Sequence, residues 1–281
     1  MSEKEYIIGK ELSFPPVDAL RLNIHYSEVD ANAPSNTNRP HIHEEAEIYF
    51  NLSGDVCFMV EQNLYRIEPG SILITRPNEY HHCIYQSNAI HCHYWLLLSV
   101  PAQLRPCMEK FFRRPLGADN LIKLRDKDTI KFEQTCRRLV NDPLTLNEQY
   151  ENLFRLLRMI DSGEIAENEV GAHIIPEELR LALDYIDNHM TLPLRVREIA
   201  EYLHVSINTL ERYFTDYLDI TPSEFIKDKR LLQSKRLLSQ GMTVQEACMA
   251  CGFSDCSRFI AEFQTKFGMT PLKYKKALVQ T

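Results

Sequence analysis

The sequence is short of everything that marks export, membrane insertion or disorder. No apolar run exceeds five residues, Tyr94–Leu98 among them, against the roughly 20 that a membrane-spanning helix needs. The opening residues, Met1 to Tyr6, are charged and lack the apolar centre of a secretion signal. A cytoplasmic location without membrane attachment is the expectation. There is no low-complexity tract and no fixed-period repeat, and the 9 glycines and 14 prolines are scattered. Tryptophan is reduced to a single residue, Trp95. The eight cysteines, at 57, 83, 92, 107, 136, 248, 251 and 256, are mostly isolated. Without an export signal they read as reduced thiols, not as a disulfide framework.

What is present suits an ordinary globular protein of two domains. The 281 residues are 44% hydrophobic and 25% charged, enough for a sizeable core. The formal charge of −7 taken alone argues against nucleic acid. Its distribution argues otherwise, because residues 227–281 hold ten basic and four acidic side chains. A local basic face is what phosphate contact requires.

The front of the chain is strand-like. From about Ala19 to Val100, short alternating runs (Glu47–Leu52, Val56–Val60, Leu64–Ile67, Ser71–Thr75, His82–Tyr85, Ile90–Ser99) are separated by Gly, Pro and Asn breakers, the pattern of a sandwich or barrel. From Asp128 the period turns helical, with Phe132, Cys136, Leu139 and Val140 on one stripe and Leu146, Tyr150, Leu153, Leu157 and Ile160 on another. The fold class expected is therefore an α+β multidomain chain: a β-barrel with a helical hairpin, then an all-α domain. The boundaries expected are an arm at 1–18, a barrel and dimerisation domain at 19–160, a linker at 161–173, and a helical domain at 174–281.

Within the helical domain two blocks repeat one design. Val196–Leu203, a turn at His204–Ser206 and Asn208–Leu218 form the first helix-turn-helix. Val244–Ala250, a turn at Cys251–Ser254 and Asp255–Phe267 form the second, with a long basic helix, Pro222–Ser239, between them. Phe225-Ile-Lys-Asp-Lys-Arg-Leu231 and the run Gly252-Phe253-Ser254-Asp255-x-Ser257-x-Phe259, followed by Phe263, Phe267, Gly268, Pro271 and Tyr274, resemble the AraC/XylS family of transcription regulators. The resemblance covers residues 174–281 and implies a reader of double-stranded DNA that places two recognition helices in successive major-groove segments. Carried over, the contacting positions are Asn208, Glu211 and Arg212 on the first helix and Cys256, Ser257, Arg258 and Ala261 on the second. Lys235 and Arg236 on the joining helix are expected to add to them. Gln264 and Arg258 depart from the family's usual basic and aromatic residues, so no operator sequence follows. Cys248-x-x-Cys251 reads as small apolar core, whereas Cys256 is expected to be exposed.

In the barrel, His41-x-His43-x-x-x-Glu47-x6-Gly54 and Gly70-x6-Pro77-x-x-x-His81 are similar to the two cupin motifs, which implies a jelly roll. In metal-binding cupins the matching set His41, His43, Glu47 and His81 would be ligands. Three readings stay open: a pocket for a small polar effector such as a sugar, a metal site, or polar groups that satisfy one another. Strand alternation puts Glu47, Tyr49 and Asn51 on one face, and His91, His93 and Trp95 likewise. The effector set expected is thus His41, His43, Glu47, Tyr49, His81, His93 and Trp95, with Trp95 available to stack on a ring. The function this implies is a regulator, an activator by preference, with a homodimer and RNA polymerase among its partners. No catalysis, cofactor or assigned metal is expected; the alternative is a metal-dependent sensor or enzyme fused to a DNA-binding domain.

Overall fold

A computed structural model describes residues 5–17, 19–30, 41–61, 63–77, 79–87, 89–166, 175–218 and 220–279. The chain divides into two units, residues 1–171 and 172–281. Among the described residues the first holds ten strands: β1 (Glu5–Ser13), β2 (Arg21–Asp30), β3 (Ala46–Ser53), β4 (Val56–Val60), β5 (Asn63–Ile67), β6 (Ser71–Thr75), β7 (His81–Tyr85), β8 (Ile90–Ser99), β9 (Leu121–Lys123) and β10 (Glu164–Ile165). A short α1 (Glu109–Phe112) precedes the hairpin of α2 (Asp126–Asn141) and α3 (Leu146–Ser162). The strands form a seven-stranded sheet in the order β1-β2-β8-β3-β6-β9-β10 and a three-stranded sheet, β5-β4-β7.

Both faces of the larger sheet are covered, and the alternation of its central strands says with what. Ile48 and Phe50 of β3 and Tyr94, Leu96 and Leu98 of β8 face outward into a core completed by Phe132, Cys136 and Leu139 of α2 and Leu153, Leu156 and Ile160 of α3. The opposite face presents Tyr49 to Val56, Phe58, Val60 and Tyr65 of the small sheet. Each fully buried aliphatic or aromatic side chain here contributes about 1.5–3 kcal/mol. At the β3–β4 turn Gly54 has φ +101, and a Cβ there would lie 2.1 Å from the His91 ring. Only glycine fits both the backbone and the space.

The boundaries differ from those expected. Glu5–Ser13 do not form a free arm; they pair in register with Arg21–Val29 of β2, Leu12 opposite Leu22. The linker expected from residue 161 begins later, since Ser162 still ends α3 and Ile165 pairs with Ile122 of β9. Residues 167–174 lie outside the described residues. Leu153, on the second apolar stripe of the domain expected to dimerise, is 1% exposed in the core between the larger sheet and the hairpin.

The second unit is helical: α4 (Glu177–His189), α5 (Val196–Tyr202), α6 (Ile207–Leu218), α7 (Pro222–Ser239), α8 (Val244–Ala250), α9 (Cys256–Phe267) and α10 (Pro271–Val279). Thr221 and Thr243 each open a helix with a capping box, closed by Glu224 and Glu246. Leu210, Phe214 and Leu218 bury one stripe of α6, and Phe259 and Phe263 one stripe of α9. Gly252, at φ +74 in the α8–α9 turn, lets the Met190 carbonyl come within 2.8 Å of where a Cβ would stand. The second turn thereby packs onto the C-terminal end of α4.

Candidate functional site

In the barrel, a backbone bridge fastens His41 to the first residue of β7: His41 N donates to His81 O at 3.0 Å and His81 N to His41 O at 3.1 Å. The side-chain donor atoms of His41, His43, Glu47 and His81 all lie within 4.8 Å of one another. His43 Nε2 is 2.9 Å from Glu47 Oε2, and His81 Nε2 is 2.9 Å from the same oxygen. Burial alone would raise the Glu47 carboxyl, but the adjacent imidazoles hold it well below the usual carboxylate range. Burial would lower His81, and the Glu47 charge outweighs that and raises it.

The rings are themselves held. His43 Nδ1 meets the Glu45 carbonyl at 3.1 Å and His81 Nδ1 the Glu79 carbonyl at 2.8 Å. A carbonyl only accepts, so both rings carry hydrogen on Nδ1. Glu79 is fixed in turn. Its carboxylate receives Arg114 Nη1 at 2.8 Å and Nη2 at 2.6 Å, and the backbone amides of Gly117 at 2.7 Å and Arg76 at 3.0 Å. Both side chains are buried. This support was missed in the sequence; the one signal was a carboxylate two residues before the motif histidine.

Deeper in the barrel, the Tyr49 ring stacks on His93 at 4.5 Å. Burial pushes His93 down to about 4, so it is neutral at physiological pH. The Tyr49 hydroxyl, the Thr75 hydroxyl and His93 Nδ1 are buried without a hydrogen-bond partner among the described residues. Thr75 stands directly across from Glu47, on the same face. Trp95 corrects an expectation: one face of its indole is taken by His25, stacked at 4.0 Å and 8°, and its Nε1 donates to Ser27 Oγ.

In the helical unit, Asn208, Glu211 and Arg212 are exposed on α6, as are Ser257, Arg258 and Ala261 on α9. Thr215 and Thr265 extend the two exposed stripes by a turn, a continuation that helical periodicity would have given. Asp255 caps α9, accepting from Ser257 N at 2.8 Å and Arg258 N at 3.3 Å. Two expectations fail. Lys235 is buried, its ammonium 5.5 Å from the Phe267 ring centre and 5.1 Å from that of Tyr274, which removes it from a DNA-facing surface. Cys256 is half-buried and packs on the α8–α9 core. Arg236 is also only partly exposed. Burial pushes the Cys248 and Cys251 thiols up to about 12, which keeps them protonated as core residues.

Residues 28–168 match the model of the AraC-like ligand binding domain, and residues 199–277 that of a helix-turn-helix domain. The chain belongs to the AraC family of transcription regulators. Among its relatives is the HTH-type transcriptional regulator CdhR of Pseudomonas aeruginosa, 34% identical over 33% of this chain and 28% of that one. The HTH-type transcriptional activator RhaS of Escherichia coli is 27% identical over 43% of this chain and 42% of that one. A solved AraC-type transcriptional regulator from Chromobacterium violaceum is 31% identical, covering 37% of this chain and 93% of that structure, with a TM-score of 0.35. The chain spans about a fifth to a half of the length of the curated relatives it matches. They carry the names of transcriptional regulators. In this AraC-family chain no helix among the described residues is long and apolar enough to cross a membrane.

Proposed function

We propose that this protein binds specific duplex DNA through α6 and α9 and adjusts that binding to a small ligand held in the barrel. The observation that carries the reading is the pair of exposed polar stripes, Asn208, Glu211, Arg212 and Thr215 on one helix, Ser257, Arg258, Ala261 and Thr265 on the other, each on the second helix of a helix-turn-helix. Arg212 and Arg258 suit guanine edges or phosphates, and Asn208 suits adenine. Arg195 and Lys227 line a cleft of about 580 Å³ between the two blocks and supply phosphate contacts in place of Lys235. The partnerless Tyr49, Thr75 and His93 atoms support an effector rich in hydrogen-bonding groups.

Activation through RNA polymerase and a homodimer complete the proposal. The half-exposed stripe of α3, Tyr150, Phe154 and Leu157, with Phe154 52% exposed, supports the dimer in place of Leu153. The test is selection of duplexes from a random pool by the full chain, then footprinting at moderate salt. Enrichment of one motif that Arg212→Ala and Arg258→Ala each weaken bears the reading out; binding without sequence preference overturns it.

A further inference from the structure

The second helix-turn-helix carries two sulfurs that play no part in the exposed stripes of α6 and α9. Cys248 of α8 is fully buried, whereas Cys256, the first residue of α9, is partly exposed. Cys248 belongs to the core built with Phe259 and Phe263, and Cys256 packs against that core. The turn between α8 and α9 folds back tightly on Cys248. Phe253 N donates to Cys248 O at 3.2 Å, and Cys248 Sγ lies 3.8 Å from Phe253 O. The fold-back brings the two thiols together, so that Cys248 and Cys256 share a side-chain hydrogen bond. Packing here asks only for a small side chain, such as Ala247 next to it, and not for sulfur on both sides of the contact. Cys251 is a different case, buried in the turn beside Arg230.

We propose that Cys248 and Cys256 are a thiol pair that a hydroperoxide oxidises to a disulfide, and that this disulfide loosens the hold of α9 on DNA. The proposal rests on the reading of α9 as a DNA-contacting helix. Cys256 is the thiol of the two that solvent reaches, so it is oxidised first. Its sulfur attacks the peroxide, the O–O bond breaks, and a sulfenic acid and an alcohol result. Burial keeps the Cys248 thiol protonated, pushed up to about 12, so it stays reduced until the sulfenic acid forms beside it. The Cys248 sulfur then displaces hydroxide from the Cys256 sulfur, and the Cys248 proton leaves with that hydroxide as water. Two thiols have been oxidised to one disulfide, and the hydroperoxide has been reduced to an alcohol and water. A sulfur–sulfur bond is about 2.05 Å long, well inside the contact of two thiols, so it draws the first turn of α9 towards α8. That turn carries Ser257 and Arg258, whose amides donate to Asp255 at 2.8 and 3.3 Å. Both residues then shift relative to the stripe on α6. Transient disulfides that report oxidants are the kind that a reducing compartment permits.

The experiment uses reduced full-length protein, with hydrogen peroxide as the probe. Intact mass and fragment mapping after alkylation should show the loss of two hydrogens and a link between Cys248 and Cys256. Affinity for a duplex selected from a random pool, read by fluorescence anisotropy, should fall about tenfold or more, as the loss of a base contact does. Dithiothreitol should restore it. Cys248→Ala should select the same duplex as the parent and keep its affinity under peroxide. That variant also sets aside oxidation at Cys83 and Cys92, which are partly exposed. Cys256→Ser, compared with its own untreated state, should be equally unresponsive, and Cys251→Ala should respond like the parent. Circular dichroism confirms that the variants remain folded. Oxidation of Cys256 without a bond to Cys248, or a bond to Cys251 in its place, overturns the thiol pair. The disulfide without a change in DNA affinity overturns the switch. Protein that forms the disulfide but selects no duplex when reduced overturns the DNA-binding reading, and the switch with it, while the thiol pair stands.

Discussion

Acidification should unfold the barrel partly through one residue, His93. Its ring is buried against Tyr49, and burial, opposed only in part by the Glu47 charge, pushes it down to about 4, against about 6.5 in an unfolded chain. Between those values the unfolded chain binds a proton that the folded one refuses, so stability rises with pH across that window. The contribution is complete above pH 6.5 and lost as pH falls towards 4. A displacement of about 2.5 units at 1.36 kcal/mol per unit amounts to about 3 kcal/mol. Other groups also make the stability depend on pH, notably Glu79, lowered by Arg114, and His81, raised by Glu47, so the measurement must be a difference. His93→Phe keeps a ring against Tyr49 and removes the titration. Trp95 is the only tryptophan and sits on β8, so urea unfolding followed by its fluorescence reports the barrel alone. The parent-minus-variant stability should change by about 3 kcal/mol between pH 7 and pH 4. A difference that stays flat across that range would refute the assignment of a buried neutral His93.

Replacing Arg114 with Leu leaves the Glu79 carboxylate buried without its partner; the barrel should lose about 3–5 kcal/mol, read by the same unfolding assay, and a loss under 1 kcal/mol would mean that the pair is dispensable. Glu262 lies 3.8 Å from Arg258 and 3.4 Å from Lys227, so Glu262→Gln should free both cations. Affinity for any duplex at low salt then rises by about threefold while discrimination between duplexes falls, as fluorescence anisotropy on selected and scrambled DNA would reveal. Lys235→Met should leave the salt dependence of DNA binding unchanged, whereas Lys227→Met should reduce its log–log slope by about one; equal effects would put Lys235 back on the DNA side. Phe154→Glu should give a monomer by sedimentation with its melting behaviour retained, and a dimer that survives the change rules out the α3 stripe.

The sequence by itself determined the kind of the central elements, β3 to β8, the helical hairpin and the two helix-turn-helix units, and it named the residues of both candidate sites. Alternation in β3 and β8 sorted Ile48, Phe50 and Leu96 from Glu47, Tyr49 and His93, because a strand has no other way to present two faces. The spacing of Leu210, Phe214, Phe259 and Phe263 fixed which sides of α6 and α9 remain exposed, since helical geometry leaves the remainder outward. Long-range choices needed the tertiary structure. Whether Glu5–Ser13 would pair with β2 depended on an edge that only the assembled sheet provides. Lys235 reads as a phosphate contact on an isolated basic helix, and only the approach of Phe267 and Tyr274 from α9 and α10 buries it. Leu153 and Phe154 differ by one position on one helix, and which of them faces the barrel is decided by the sheet beneath. The same holds for His81: its motif named it, but the proton on Nδ1 is set by the Glu79 carbonyl, held there by Arg114 from 35 residues further along the chain. Local periodicity reports a side chain's direction relative to its own element; what it meets in that direction is a property of the fold.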